Sequence, residues 1–340
     1  MLVDRYEVGE RSTSACATPT EWLDLLGLRS SIRQTFDELV VHTSRSTAHW
    51  PLPFTYSTFD YRELCAALRS GAGSSEFETA TVEAIADGQG VAVRTDRGLL
   101  RAPYVVDALG WRRLLSGAAE PIQPPRARLS RGLEVHPRGA SDDLAIWIDE
   151  RYVRAGYSWA FPAGEEVRVG VGSYEPRDHV KDATVALARD LELDPVAYQG
   201  NWIPHKILPA TENGVFFVGD SAGHCLPLTA EGIRPAFYFA LALGRELRQA
   251  LAGQITREQA LARYHSFSEA HARKYNILLA GQHLAGRTTA TAPMRWLIEA
   301  FNSQRLSHWA FERYFQITPP STARALATTS RPASVAGALT

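Results

Sequence analysis

Val215-Phe216-Phe217-Val218-Gly219-Asp220-Ser221-Ala222-Gly223-His224-Cys225-Leu226-Pro227-Leu228-Thr229-Ala230-Glu231-Gly232-Ile233-Arg234-Pro235-Ala236 is the stretch on which the reading of this chain turns. A run of β-branched and aromatic residues reads as a buried strand and ends in Gly-Asp. A loop punctuated by Gly and Pro follows, and an apolar helix then opens. The strand therefore delivers the Asp220 carboxylate beside a helix N-terminus. Amides near Gly232 and Ile233 favour negative charge there. That pairing suits a flavin: Asp220 accepts from ribityl hydroxyls, and the amides face the N1/O2 edge of the ring. The plain alternative is an ordinary strand-to-helix turn of an α/β protein.

The wording Gly-Asp-Ser-Ala-Gly, Pro-Leu-Thr and Glu-Gly-Ile resembles the second flavin-binding motif of the FAD oxidoreductases related to p-hydroxybenzoate hydroxylase. Within that superfamily it most resembles the geranylgeranyl reductases. The resemblance implies FAD as cofactor, with Asp220, Pro227, Gly232 and Ile233 at the flavin. Met1-Leu2-Val3-Asp4-Arg5 looks like the end of a strand whose acidic residue, Asp4, bonds the adenosine ribose. Enzymes of this type begin with a strand, a Gly-x-Gly-x-x-Gly turn and a helix. The expectation is that this chain lacks that unit, through a late start or a real loss. Gly71-Ala72-Gly73 trails a helix, and Gly170-Val171-Gly172 runs on toward Pro176. Neither carries a third glycine opening a helix, so neither is a nucleotide turn.

Three further stretches bear on the site. Gly156-Tyr157-Ser158-Trp159-Ala160-Phe161-Pro162 resembles the Gly-Tyr-x-Trp-x-Phe-Pro motif of geranylgeranyl reductases. Alternation puts Tyr157, Trp159 and Phe161 on one face of a strand, as an aromatic wall for substrate or as ordinary sheet core. The Trp-x-Trp-x-Ile-Pro of flavin halogenases differs at two of these landmarks. Asp107-Ala108-Leu109-Gly110 resembles the Asp-Ala-x-Gly segment of reductases and lycopene cyclases, where flavin hydroxylases carry adjacent Asp-Gly. Ser14-Ala15-Cys16-Ala17 stands where the reductases carry a Cys-Gly-Gly turn near the flavin. Cys16 is thereby a weak candidate for a catalytic role, against the plain reading of a buried thiol that acts as a small hydrophobe.

Composition sets the frame. At 340 residues the chain can hold two intertwined domains. A formal net charge of −1 gives no reason to expect nucleic acid. Three cysteines are too few and too scattered for a disulfide framework or a zinc site, and no metal centre is expected. No apolar run reaches membrane-spanning length, which leaves a peripheral membrane contact open. A reducing cytoplasm is the expected setting.

Along the chain, Thr18 reads as the cap of a first helix with Pro19 at its first position and Glu21 closing a capping box. Leu39–His42 reads as a short strand. Trp50-Pro51-Leu52-Pro53 reads as a break before Phe54–Ser57. Asp60 reads as the cap of a helix with Leu64, Cys65 and Leu68 inward and Gly71 at its end. Phe77 to Val106 reads as a meander turning at Asp87-Gly88 and Asp96-Arg97-Gly98. Residues 126–210 read mostly as strands, with one helix around Val185–Leu191. Helices are expected over Pro235–Leu251, Gln259–Leu284 and Met294–Phe315.

The fold expected is α/β: a Rossmann-like FAD-binding domain, N-terminally incomplete, with an inserted, largely antiparallel β-sheet substrate domain and C-terminal helices. Its pieces are residues 1–120 with 211–251 for the cofactor and 121–210 for substrate. Residues 252–318 form a helical region, and 319–340, rich in Ser, Thr, Ala and Pro, read as a disordered tail. The resemblance implies an FAD-dependent oxidoreductase that reduces an isoprenoid or other apolar small molecule, with electrons from NAD(P)H or a reduced carrier. A flavin monooxygenase acting on an aromatic or polyketide-like substrate is the alternative enzyme. A flavin-free remnant that binds an apolar ligand is the alternative outside catalysis.

Overall fold

The computed structural model describes residues 1–12, 15–86, 91–117, 129–288 and 292–328. The chain starts with β1 (Leu2–Asp4), then β2 (Ala17–Pro19), which leads into α1 (Thr20–Leu25). A long hairpin of β3 (Ile32–Thr43) and β4 (Thr47–Phe59) follows, and then α2 (Tyr61–Gly71). β5 (Phe77–Thr79) returns to lie parallel to β1, with Leu2 opposite Phe77 and Asp4 opposite Thr79. β6 (Val82–Ile85), β7 (Ala92–Thr95) and β8 (Gly98–Arg101) form an antiparallel meander. β9 (Val105–Asp107) precedes the β-rich middle: β10 (Leu129–Val135), β11 (Ala145–Ile148), β12 (Gly156–Pro162), β13 (Val167–Ser173), α3 (Val180–Asp190) and β14 (Gln199–Pro204).

The chain then re-enters the first region through β15 (Thr211–Glu212) and β16 (Val215–Phe217), the latter parallel to β9. Helices complete it: α4 (Ile233–Leu251), α5 (Arg257–Glu269), α6 (Ala272–Thr288), α7 (Ala292–Ala300), α8 (Gln304–Phe315) and α9 (Pro320–Thr328).

The largest layer is an eight-stranded sheet in the order β14-β10-β13-β12-β11-β3-β4-β2. The β3–β4 hairpin thus joins the strands of the β-rich middle through a parallel pairing of β3 with β11, Val40 opposite Ala145. One face of β12–β13 is covered by α3, where Ala160, Val167, Val169 and Val171 pack with Val180, Leu187 and Ala188. The other face looks toward the 219–233 loop. α4 is the hub of the second core. Tyr238, Phe239 and Leu243 pack there with Trp22, Phe216, Leu226, Tyr264 and Tyr275.

Several expectations change in detail. Thr18 and Pro19 lie in β2, and α1 starts at Thr20 without a side-chain cap, because β2 pairs with β4 and takes those residues first. β3 is twelve residues long rather than four. β4 runs unbroken through Pro51 and Pro53: Pro51 stays in register opposite Glu38, and Pro53 falls where the register shifts between Phe36 and Glu38 and no ladder donor is needed. Asp60 caps α2 as expected, its Oδ1 accepting from the Glu63 amide at 2.8 Å, and Leu64 is buried while Leu68 is 40% exposed.

In the meander, the Asp96-Arg97-Gly98 turn forms, whereas Asp87-Gly88 lies outside the described residues, as does the Pro-rich 121–125 stretch. The two long C-terminal helices are each divided: α5 from α6 near Ala270–His271, and α7 from α8 at Phe301–Ser303. Part of the expected tail is ordered. α9 buries Ala323 and Leu326 three residues apart, the spacing of one helix face, and Ala323 joins the core around α4.

Candidate functional site

The quoted stretch folds as the sequence implies: β16 ends in Phe217, a short helical turn spans Gly219–Ala222, and α4 opens at Ile233 after Gly232. Gly219 and Gly223 take left-handed φ of 65° and 67°. A Cβ on Gly223 would lie 1.9 Å from the Lys206 carbonyl oxygen, so that position has no room for a side chain.

The loop is held from outside by its carbonyls. Gln282 on α6 donates from Nε2 to the Pro227 oxygen at 2.9 Å, and the Tyr174 hydroxyl donates to Leu228 O at 2.7 Å. The Tyr157 hydroxyl donates to Thr229 O, and the Tyr275 hydroxyl to His224 O. His224 is buried, stacks on Phe239 at 3.6 Å and faces Ser268 Oγ at 3.0 Å through Nε2. Burial holds its imidazole well below its usual range, so it is neutral, and its Nδ1 accepts from the Gly219 amide at 3.2 Å.

With the carbonyls engaged outward, the amides are left over. Among the described residues nothing accepts from the N–H groups of Thr229, Ala230, Gly232 or Ile233. Such unpaired donors at a helix start make a binding place for partial or full negative charge.

Asp220 completes this end. Its carboxylate receives no hydrogen bond among the described residues and lies beside Gly232, where a Cβ would stand 3.6 Å from Oδ1. The residue keeps some contact with solvent, yet the protein packed around the carboxyl pushes its pKa up to about 6. An unpaired acceptor and four unpaired donors in one loop fit a flavin ring with its ribityl hydroxyls. Pro227 and Ile233 bracket that loop: the Pro227 carbonyl is the Gln282 anchor, and Ile233 begins α4.

Asp107 ties the loop to β9. Its Oδ1 accepts from Ser221 Oγ at 2.7 Å and from the Leu109 amide at 2.9 Å, and its Oδ2 accepts from the Leu115 amide at 3.0 Å. The Asp-Ala-x-Gly segment is therefore a knot between two parallel strands. Arg113, nearly buried and at φ 50°, adds bonds to the carbonyls of Ser221 and Pro209, both at 2.7 Å.

On the sheet, Tyr157, Trp159 and Phe161 share the half-buried face of β12, while Ser158, Ala160 and Pro162 are buried on the other. Trp159 lies against glycines. A Cβ on Gly170 would sit 2.2 Å from its ring, one on Gly172 3.4 Å and one on Gly132 3.9 Å. The indole N–H donates to Glu134 Oε2 at 3.3 Å, and Glu134 Oε1 pairs with His136 at 2.9 Å. The Tyr157 hydroxyl bonds the loop, so this wall and the 219–233 loop meet directly.

Cys16 is buried at φ 53°, with its Sγ 3.2 Å from Ser12 Oγ. Burial pushes its thiol up to about 12, so it is a neutral thiol rather than a thiolate nucleophile. The main-chain oxygen of Cys16 accepts from Arg168, which also bonds Ala15 O and Phe59 O. Asp4 stands apart, exposed on β1, its Oδ1 accepting from the Tyr6 amide at 3.0 Å. The described residues include no glycine-rich turn opening a helix at the end of β1 or β9. No cluster of metal-ligating side chains is present among them either, and no described helix is long and apolar enough to cross a membrane.

Sequence reasoning missed Glu231, Arg234, Tyr174, Gln282 and Tyr314. The first two were visible as an i, i+3 pair of opposite charge at a helix start. The other three reach the loop from 54 to 85 residues away, and no local pattern marks them.

Comparison with known proteins places this geometry. No protein-family model matches the chain. In sequence it is similar to the geranylgeranyl diphosphate reductase of Rhodobacter capsulatus, 34% identical over 110 residues, 31% of this chain and 27% of the relative. The match thus spans little more than a quarter of that relative's length. In structure the chain superposes on a geranylgeranyl bacteriochlorophyll reductase-like protein from Thermoplasma acidophilum with a TM-score of 0.76 at 15% identity. That superposition covers 96% of this chain and 91% of the other. A probable FAD-dependent monooxygenase from Pseudomonas aeruginosa superposes with a TM-score of 0.65 at 19% identity, covering 87% and 91%. The resemblance to geranylgeranyl reductases is thus a sequence relation over about a third of the chain, and the fold is that of the FAD-binding oxidoreductases.

Proposed function

We propose that this protein is an FAD-dependent reductase of an apolar, isoprenoid-type substrate. The observation that carries the reading is the loop at 219–233. Its carbonyls are taken by side chains from separate elements, while the amides of Thr229, Ala230, Gly232 and Ile233 and the Asp220 carboxylate have no partner. Buried or loop-end groups in that condition are costly unless a ligand completes them. Asp220 is the acceptor for ribityl hydroxyls, and the amides are the donors for the electron-rich edge of the ring. FAD, when bound, supplies hydride transfer.

The chain's own residues then orient and exclude water. Tyr157 links wall to loop, and Trp159 lies flat on its glycine floor. Phe161 extends the same apolar surface along β12. Acid–base groups are scarce on this wall. The Glu134–His136 pair is engaged with itself and with Trp159, and Cys16 stays protonated. That scarcity suits a chemistry carried by the cofactor. Asp4 is the candidate for the adenosine ribose, and the electron donor is NAD(P)H or a reduced carrier.

The test is twofold. Titration of the protein with FAD, followed by visible absorption, should show saturable uptake that is weakened in Asp220→Asn. Anaerobic incubation of the flavin-loaded protein with a reductant and a geranylgeranyl lipid should raise the product mass by two hydrogens per double bond. A gain of one oxygen in air, with no such saturation, would replace the reductase reading with a monooxygenase. Absence of flavin uptake would leave only an apolar-ligand binder.

A further inference from the structure

Arg234 occupies the second position of α4 and is 0% exposed. A cation there opposes the positive end of the helix, so its presence needs a reason other than helix stability. Its Nε and Nη2 donate to the two oxygens of Glu231, each at 2.7 Å. Nη1 donates to Thr318 Oγ1 at 2.6 Å and to the carbonyls of Thr318 and Phe315 at 3.2 and 3.4 Å. The guanidinium carbon lies 5.1 and 4.6 Å from the ring centres of Tyr314 and Phe315.

Glu231 is equally occupied. Its Oε2 accepts from the Tyr314 hydroxyl at 2.6 Å, and its charge helps to raise the pKa of the buried Tyr56 phenol. A complete ion pair thus closes over the stretch that holds Gly232 and Ile233, two of the residues with unpaired amides. Apolar residues of similar volume would fix such a turn at least as well, so stability alone does not account for a buried pair. At the surrounding phenols of Tyr56, Tyr275 and Tyr314, where burial is the main upward influence, the two charges act in opposite senses: Glu231 raises the pKa and Arg234 lowers it. At Asp220 burial alone accounts for the shift.

We infer that Glu231 and Arg234 are positioning residues that act as a charge-balanced couple, setting how strongly the loop favours a reduced, negatively charged flavin over the oxidised one. The inference rests on the FAD reading above. Unbalancing the couple in either direction moves the preference in that direction. Glu231→Gln leaves a positive excess and favours the reduced flavin about tenfold more, a rise of ~30 mV in the two-electron midpoint potential. Arg234→Met leaves a negative excess and lowers the potential. Glu231→Gln with Arg234→Met restores neutrality and returns the potential to the wild-type value. Arg234→Lys keeps the charge while losing the fork, and it also leaves the potential in place.

The experiment measures the midpoint potential of added FAD on the wild-type protein and these four variants, by equilibration with reference dyes. In parallel, the Asp220 carboxyl is titrated by carbon NMR in the flavin-free proteins. Opposite shifts in the single variants, cancelling in the double, establish the couple. Shifts of one sign in both singles, or a double variant as displaced as either single, overturn it in favour of a purely structural clamp. If the wild-type protein takes up no FAD, the FAD reading fails by that result. The Asp220 titration then decides the couple by itself: opposite displacements of its midpoint in Glu231→Gln and Arg234→Met that cancel in the double variant keep the couple, and a midpoint unmoved by either, set by burial alone, overturns it. Should a single variant not fold, the double and Arg234→Lys still decide, since a structural role makes both depart from wild type.

Discussion

The two ends of the candidate cofactor site are built to different standards. At the ring end, the loop from His224 to Ile233 is gripped by side chains from β12, the turn after β13, α5, α6 and α8, and its His224, Cys225 and Leu226 are buried. At the end proposed for the adenosine, Asp4 stands exposed on a three-residue strand paired only with β5 among the described residues, and Leu2 is 47% exposed. The ring end is preorganised and its geometry costs no ordering when a ligand arrives. The adenosine end offers one carboxylate on a short pair of strands. On the proposed reading the grip on the cofactor resides in the loop, and perturbations of the two ends should differ in kind as well as in size.

The largest effect is expected where the loop has no slack. Gly223→Ala places a Cβ in a left-handed residue against the Lys206 carbonyl. It should lower unfolding stability by about 3 kcal/mol or more, as read by chemical denaturation. A loss below 1 kcal/mol would show that the loop yields, and the contrast between the ends would weaken.

Asp220→Asn comes next and separates stability from binding. Removing an acceptor for charged hydrogen bonds should weaken FAD about 10- to 100-fold by titration. The flavin-free protein should be as stable as wild type or more so, because an unpaired carboxylate disfavoured by burial has been taken away.

The pH dependence sharpens the same point. An acid whose pKa rises from the usual carboxylate value to about 6 on folding binds its proton more tightly in the native state. Its contribution therefore favours the fold at low pH. It declines as pH rises from about 4 to about 6, by at most ~3 kcal/mol, and is flat above that. FAD affinity should run the other way, rising across the same window as the carboxylate ionises to accept the ribityl hydroxyls. Asp220→Asn should flatten both profiles, measured by denaturation and by titration from pH 4 to 8.

The smallest effect belongs to the other end. Asp4→Asn should change stability by no more than about 0.5 kcal/mol, as exposed substitutions do. It should weaken FAD several-fold while leaving riboflavin affinity unchanged. Equal losses for both ligands would erase the distinction between the ends.

How much of this was legible follows from distance along the chain. The strand, the Gly-Asp corner, the loop and the helix at 215–251 are contiguous, and each carries a local signature, so they were readable. The face shared by Tyr157, Trp159 and Phe161 follows from the period of a strand. What locks the loop was not readable, because Tyr174, Gln282 and Tyr314 act through tertiary contact alone. Pro51 and Pro53 misled for a related reason. Whether a proline ends a strand depends on what lies opposite, and a register shift between β3 and β4 takes Pro53 out of the ladder. α9 was missed because its Ala-rich composition resembles a linker until α1 and α4 supply a surface for Ala323 and Leu326.

Gly132, Gly170 and Gly172 carry a consequence for how such chains are read. They make no turn and face no phosphate. Gly170 has to stay empty for the indole of Trp159 on the next strand, while a Cβ at Gly172 or Gly132 would meet that ring only at ordinary contact distance. Emptiness of this kind leaves a Gly-x-Gly in the sequence much as a nucleotide turn does, and the two are told apart by what the spacing crosses. Two residues along a strand return to the same face and clear a floor, whereas glycines at a strand end clear a path for the main chain.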